Sequence, residues 1–102
     1  MPKPTLPPRL SAKELLILEA LTSRSPMYGL ELVTTSKGHL KRGTIYVTLG
    51  RMEDKGYVES ETEPPRPGAA GLPRRLYRPS AYGLRVMEAW AMVRTTLAWG
   101  TR

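Results

Sequence analysis

Gly43-Thr44-Ile45-Tyr46-Val47-Thr48-Leu49-Gly50-Arg51-Met52-Glu53-Asp54-Lys55-Gly56-Tyr57-Val58, followed by a Pro/Gly/Arg segment and then Arg75-Leu76-Tyr77-Arg78, decides the fold. Ile45, Leu49 and Met52 fall at i, i+4 and i+7, which puts them on one side of a helix over about 43–55. Gly56 stands where a left-handed residue closes such a helix. Val58, Ser60 and Thr62 then alternate with Glu59, Glu61 and Glu63, the pattern of a half-exposed strand. Six of the ten residues 64–73 are Pro or Gly, so a loop follows, and a returning strand at about 74–78 makes a hairpin with a long tip.

Upstream, Ser11 followed three residues later by Glu14 is a capping-box pattern ahead of Leu15, Leu16, Ile17, Leu18 and Leu21, which predicts a first helix over about 11–22. Pro26 stops it and biases Ser25 away from helical angles. A short second helix is expected over about 27–35, with Tyr28, Leu30, Leu32 and Val33 as core candidates, and a turn at 36–39. Downstream, Ser80 is placed to cap a last helix over about 81–98. Gly83, Val86, Trp90, Val93 and Leu97 form one apolar stripe on it, and Leu84, Met87, Ala91 and Ala98 form a second. One stripe suffices to dock the helix on its own domain. The other is expected to meet the same helix of a second chain, with Val86, Trp90, Val93 and Leu97 as its contacts.

The 102 residues fit one small domain with no room for a separate catalytic or sensor domain. The net charge of +7 is unevenly spread. Residues 37–55 carry +3 and residues 64–79 carry +4, while the remainder holds seven basic and seven acidic residues and sums to zero. A positive field confined to neighbouring segments is the footprint expected for a polyanion partner. Zero cysteines exclude a disulfide framework, a thiol nucleophile and any zinc site needing sulfur. No metal or other cofactor is expected, nor an enzyme: the single His39 lies in a polar turn, and Gly68-x-x-Gly71 lacks the lysine and helix of a phosphate loop. The longest aliphatic run, Leu15 to Leu18, is far short of the ~20 residues a membrane helix needs, and the first nine residues have no apolar signal core. A cytoplasmic protein with no membrane contact is therefore expected. Four prolines among residues 1–9 predict an extended, poorly ordered tail.

Helices, then a hairpin, then a C-terminal helix make a mainly α fold with a small β-hairpin, the winged helix-turn-helix plan, over 10–80 with a dimerisation helix over 81–102. A major groove admits one helix whose outward side chains reach base edges. With Ile45, Leu49 and Met52 turned inward, the outward side is drawn from Thr44, Val47, Thr48, Gly50, Arg51 and Asp54. Val47 can touch a thymine methyl, and Arg51 can reach a guanine edge or a phosphate. Gly50 either lets the groove wall approach or has no role. Lys41 and Arg42 precede the helix start, where backbone amides also favour phosphate. Glu53 and Asp54 would repel the DNA backbone, so the N-terminal half is expected to enter the groove. Arg66, Arg74 and Arg75 are the expected hairpin contacts to phosphate or the minor groove.

Gly43-Thr44-Ile45-Tyr46-x-x-Leu49-x-Arg51-Met52-Glu53-x-x-Gly56-Tyr57-Val58 resembles the recognition-helix signature of the PadR family of bacterial transcriptional regulators, and Gly71-x-Pro73-Arg74-Arg75-x-Tyr77 resembles its wing motif. Tyr28-Gly29 and Ser80-x-x-Gly83 also match the family's pattern, so the resemblance covers about 10–90. It implies a homodimeric repressor on a pseudopalindromic double-stranded DNA operator, with Thr44, Tyr46 and Arg51 at or near DNA. This chain departs from the family in having Val47 where proline is usual and in its longer wing. It resembles the short branch that ends soon after the last helix. Some short members bind flat hydrophobic effectors between aromatic side chains at the dimer interface, a part Trp90 can play, although an aromatic at core spacing is more often packing. The competing reading is a winged helix used for protein interaction or RNA binding.

Overall fold

A computed structural model of the chain describes residues 6–64, 68 and 73–100, with side chains as far as residue 97. Helix α1 spans Ala12–Ser23, strand β1 Met27–Tyr28, helix α2 Gly29–Thr35, helix α3 Ile45–Asp54, strands β2 and β3 Val58–Thr62 and Arg75–Pro79, and helix α4 Ala81–Gly100. The fold is four helices around a small antiparallel sheet, the winged helix-turn-helix plan.

The capping box forms at the start of α1. Ser11 Oγ accepts from the Glu14 N–H at 3.1 Å, and Glu14 Oε1 accepts from the Ser11 N–H at 2.8 Å. Gly56 closes α3 at φ 81°, with its N–H donating to Glu53 O at 2.9 Å and the Tyr57 N–H to Met52 O at 2.8 Å. That pair of bonds is the Schellman closure, and it turns Tyr57 and Val58 back into the core.

Where a second helix was expected from Met27, the chain first runs extended. Met27 pairs with Tyr77 and Tyr28 with Leu76, so the hairpin becomes a three-stranded sheet in the order β1-β3-β2. Tyr28 stays extended at φ −76°, ψ 154°, and pairing with β3 accounts for the change by taking up the backbone of these two residues. The Glu31 carboxylate then accepts from the Tyr28 N–H at 2.9 Å and starts α2 there. In β2 against β3, Ser60 faces Tyr77 and Thr62 faces Arg75.

The core is built from Ile17, Leu18 and Leu21 of α1, Leu32 of α2, Ile45, Leu49 and Met52 of α3, and Met27, Tyr57, Val58 and Tyr77 of the sheet and its approach. Leu40, before α3, joins them because the buried Ser36 hydroxyl accepts its N–H at 2.9 Å. Helix α4 docks at its N-terminal end. Ser80 Oγ caps it by accepting the Gly83 N–H at 2.8 Å and also donates to the Gly56 carbonyl. A Cβ on Gly83 would stand 2.1 Å from Tyr57 O, so glycine is what allows this backbone-to-backbone contact.

Only the first half of the α4 stripe is used at home. Val86 is 3% exposed within its own domain core rather than turned to a partner, and Trp90 packs against the edge of that core. Val93 is half-buried and Leu97 is 61% exposed. Residues 1–5 of the expected N-terminal tail lie outside the described residues. From Leu6 the chain is placed, and the Pro8 and Arg9 carbonyls accept hydrogen bonds from Trp90 and Tyr57. None of the described helices is long and apolar enough to cross a membrane.

Candidate nucleic-acid interface

Burial of Ile45, Leu49 and Met52 fixes which way α3 faces. Thr44, Val47 and Arg51 are exposed on the opposite side, with Thr48 half-buried beside them. Val47 is the outermost apolar group, at 56% exposure. The Thr48 hydroxyl donates back to Thr44 O at 3.1 Å, which leaves its oxygen as an acceptor toward solvent. Lys41 and Arg42 are exposed in the turn ahead of the helix, and the Lys41 carbonyl accepts the N–H groups of Thr44 and Ile45 at 3.2 and 3.0 Å. This turn holds both cations at the N-terminal end of α3, as the sequence predicts.

Tyr46 lies on the hairpin-facing edge of α3. Its ring rests on Gly29, where a Cβ would meet Tyr46 Cε1 at 2.7 Å, and half of it is exposed. With Tyr28, Tyr77, Arg74 and Arg75 it lines a cavity of about 430 Å³ between α2, α3 and the base of the hairpin.

The hairpin cations are more engaged than their sequence position foretells. Arg74 stacks on Tyr28 with its guanidinium carbon 4.1 Å from the ring centroid, and its Nε donates to Glu63 Oε2 at 3.2 Å. The other Glu63 oxygen accepts from the Tyr28 hydroxyl at 2.7 Å. Arg75 donates to Ser60 Oγ at 2.9 Å, and Ser60 in turn donates to Glu53 at 2.9 Å, tying the hairpin to α3. Arg78 pairs with Glu61 at 2.6 Å. Charge that is separate along the chain is thus paired across strands. Arg66 lies outside the described residues.

That arrangement redirects Glu53. The sequence sets it beside Asp54 as a group repelling the DNA backbone, but its carboxylate is held by Ser60 on the hairpin side. The far end of α3 is positive on its other edge, where Arg51 and Lys55 line a cavity of about 500 Å³ with Arg9 and Lys13 from the start of α1. Sequence reasoning assigned no site role to Arg9 or Lys13. A local charge count sees only a balanced segment there, and the folding of α1 across α3 brings the two cations alongside.

Glu14 is the acid of this edge, with Lys55 Nζ at 2.7 Å. Burial pushes its carboxyl up, but the Lys55 ammonium and the Ser11 N–H and hydroxyl outweigh that and hold it below the ordinary glutamate value. Burial, with the Tyr82 ring and the Glu14 charge beside it, raises the Tyr57 phenol, which therefore remains a proton donor to the Arg9 carbonyl at 2.9 Å. Trp90, the candidate effector contact, donates its indole N–H to Pro8 O at 2.7 Å.

A family model described as transcriptional regulator PadR-like matches residues 17–89. The chain is similar to a solved PadR family transcriptional regulator from Eggerthella lenta DSM 2243, at 30% identity and a TM-score of 0.68 over 84% of this chain and 74% of that one. It is also similar to a PadR-like transcriptional regulator from Bacillus cereus ATCC 14579, at 27% identity and a TM-score of 0.58 over 82% and 86% of the two chains. A PadR family regulator from Clostridium difficile R20291 shares 25% identity with a TM-score of 0.62, over 83% of this chain and 93% of that one. No curated protein matches the sequence.

Proposed function

From the premise that this chain belongs to the PadR-like family of transcriptional regulators, and so is a DNA-binding regulator and not an enzyme, we propose that it acts as a homodimeric repressor on a pseudopalindromic operator. One observation carries the reading of the site. The outward side of α3 presents Thr44, Val47 and Arg51 exposed, with Thr48 half-buried beside them, while Ile45, Leu49 and Met52 on its inward side are committed to the core. Val47 supplies an apolar contact for a thymine methyl, Arg51 a guanine edge or phosphate contact, and the threonine hydroxyls hydrogen bonds. Lys41 and Arg42 bind phosphate at the entry to the helix. Arg75 and Arg74 stiffen the base of the wing through Ser60 and Glu63, and they set its angle against the adjacent backbone. Cytoplasmic residence follows from that role.

The test is duplex binding as a function of salt. Phosphate contacts release counterions, so affinity for a fragment selected from genomic DNA is expected to fall by orders of magnitude between about 50 and 200 mM salt. A flat dependence would remove the DNA reading and favour a protein partner instead. Arg51→Ala is expected to reduce discrimination between the selected fragment and random duplex by about 1–3 kcal/mol. An equal loss on both would reassign Arg51 from a base to a phosphate.

A further inference from the structure

The edge of α3 away from the hairpin adjoins the base-reading Thr44, Val47, Thr48 and Arg51 and carries further charge from the start of α1. Arg9, Lys13, Arg51 and Lys55 line one cavity there with a single carboxylate, Glu14. That carboxylate is satisfied, since Oε1 accepts from the Ser11 N–H at 2.8 Å and Oε2 meets Lys55 Nζ at 2.7 Å. Arg9, Lys13 and Arg51 form no ion pair among the described residues. Three uncompensated cations on an open concave surface hold a positive potential that only an outside anion can relieve.

Arg9 is also held from behind. The segment leading to it contains Pro7 and Pro8, which have no N–H, so its exposed backbone polar groups are carbonyls. Two of these are taken by aromatic donors from distant parts of the chain: Trp90 Nε1 to Pro8 O at 2.7 Å and Tyr57 Oη to Arg9 O at 2.9 Å. Aromatic side chains are a recurring means of docking proline-containing segments. Here the docking is within the chain, and it fixes where the Arg9 side chain begins.

We propose that Arg9 and Lys13 form a second phosphate-binding station flanking α3 on the side opposite the wing, with Tyr57 and Trp90 as positioning residues for Arg9. A helix about 10–12 Å across fills a major groove about 12 Å wide, so sugar-phosphate backbone runs along both of its edges. The wing meets one backbone, and the Arg9–Lys13 station meets the other. The proposal rests on α3 entering the groove and adds the contact that fixes its depth on the α1 side. The ligand is duplex backbone, read without regard to sequence.

The test uses the full chain, a duplex of about three helical turns selected from genomic DNA and a random duplex of the same length. The double variant Arg9→Ala, Lys13→Ala is expected to lower the slope of log affinity against log salt by about two per protomer, about four for the homodimer, on both duplexes, with the ratio of affinities between them kept. Tyr57→Phe and Trp90→Phe each remove one anchoring bond and retain a ring. Each should lower the slope by at most about one per protomer alone and by nothing further when Arg9 is already Ala. An unchanged slope in the Arg9, Lys13 variant, in the face of steep binding by the unsubstituted chain, would overturn the station. Anchor variants that cost as much without Arg9 as with it would overturn the positioning role. Loss of salt-dependent binding from the unsubstituted chain itself would instead overturn the DNA reading on which the proposal stands.

Discussion

Two helix glycines separate folding from binding at the scale of single residues. Gly83 lets α4 lie directly on the Tyr57 carbonyl, and a Cβ there would come within 2.1 Å of a backbone oxygen that no rotamer change can move. Gly83→Ala is therefore expected to cost about 3 kcal/mol in urea unfolding, at the upper end of ordinary overpacking. Gly50 is the opposite case, with nothing within 4 Å of an added Cβ. Gly50→Ala should stabilise the free protein by up to ~1 kcal/mol, because alanine is the better helix former. If α3 approaches the groove floor at this point, the same methyl meets DNA, and duplex affinity falls about tenfold while stability rises. Unchanged affinity would leave Gly50 without a role in the complex. Gly29 stands between these two: an added Cβ there would meet the half-exposed Tyr46 ring, which can swing away, so the cost falls on the placement of Tyr46 and not on the fold.

At the scale of elements, α1 shows how a cap is tied to a second helix. Ser11 and Glu14 close its N-terminus, and Glu14 simultaneously holds Lys55 at the end of α3. Ser11→Ala should cost about 1 kcal/mol, the usual worth of an N-cap hydroxyl. Glu14→Gln retains a capping acceptor and removes only the charge. Because the Glu14 carboxyl is held below its ordinary value, its contribution is complete above that value and is lost as the pH falls through the lower folded one. The stability gap between Glu14→Gln and the unsubstituted chain is thus expected to be constant near neutrality and to close on acidification, as read by urea midpoints across the acid range. A gap independent of pH would mean that Lys55 adds nothing. This cap was legible from Ser11 and Glu14 alone, as was the Gly56 closure of α3, because both are local patterns of a few residues. Strand β1, the burial of Leu40 and the pairing of Arg74 with Glu63 were not. Each depends on residues that meet only after the chain has folded, and β1 in particular is too short to show a period of its own.

For the whole molecule the same limit applies to charge. Counting along the chain puts the positive field on α3 and the hairpin, but folding pairs the hairpin arginines with Glu61, Glu63 and, through Ser60, Glu53, while it carries Arg9 and Lys13 to α3. It divides the α4 stripe too. Val86 is inside, Trp90 is at the edge, and Val93 and Leu97 emerge as the helix leaves its own domain. An apolar stripe that runs unbroken from a core into solvent is costly to leave wet, and in the homodimer proposed above a second copy of the same helix related by a two-fold axis would cover it with no new chemistry. Two α3 helices would then face DNA together, suited to half-sites about 34–36 Å apart. Val93→Glu with Leu97→Glu is expected to leave the fold intact, since neither side chain belongs to the core, and to halve the mass seen by light scattering. It should also halve the salt slope, because each monomer engages one half-site and releases half the counterions. A mass that stays dimeric would assign the contact to another surface. A monomer with the full slope would show that both sets of phosphate contacts belong to one chain.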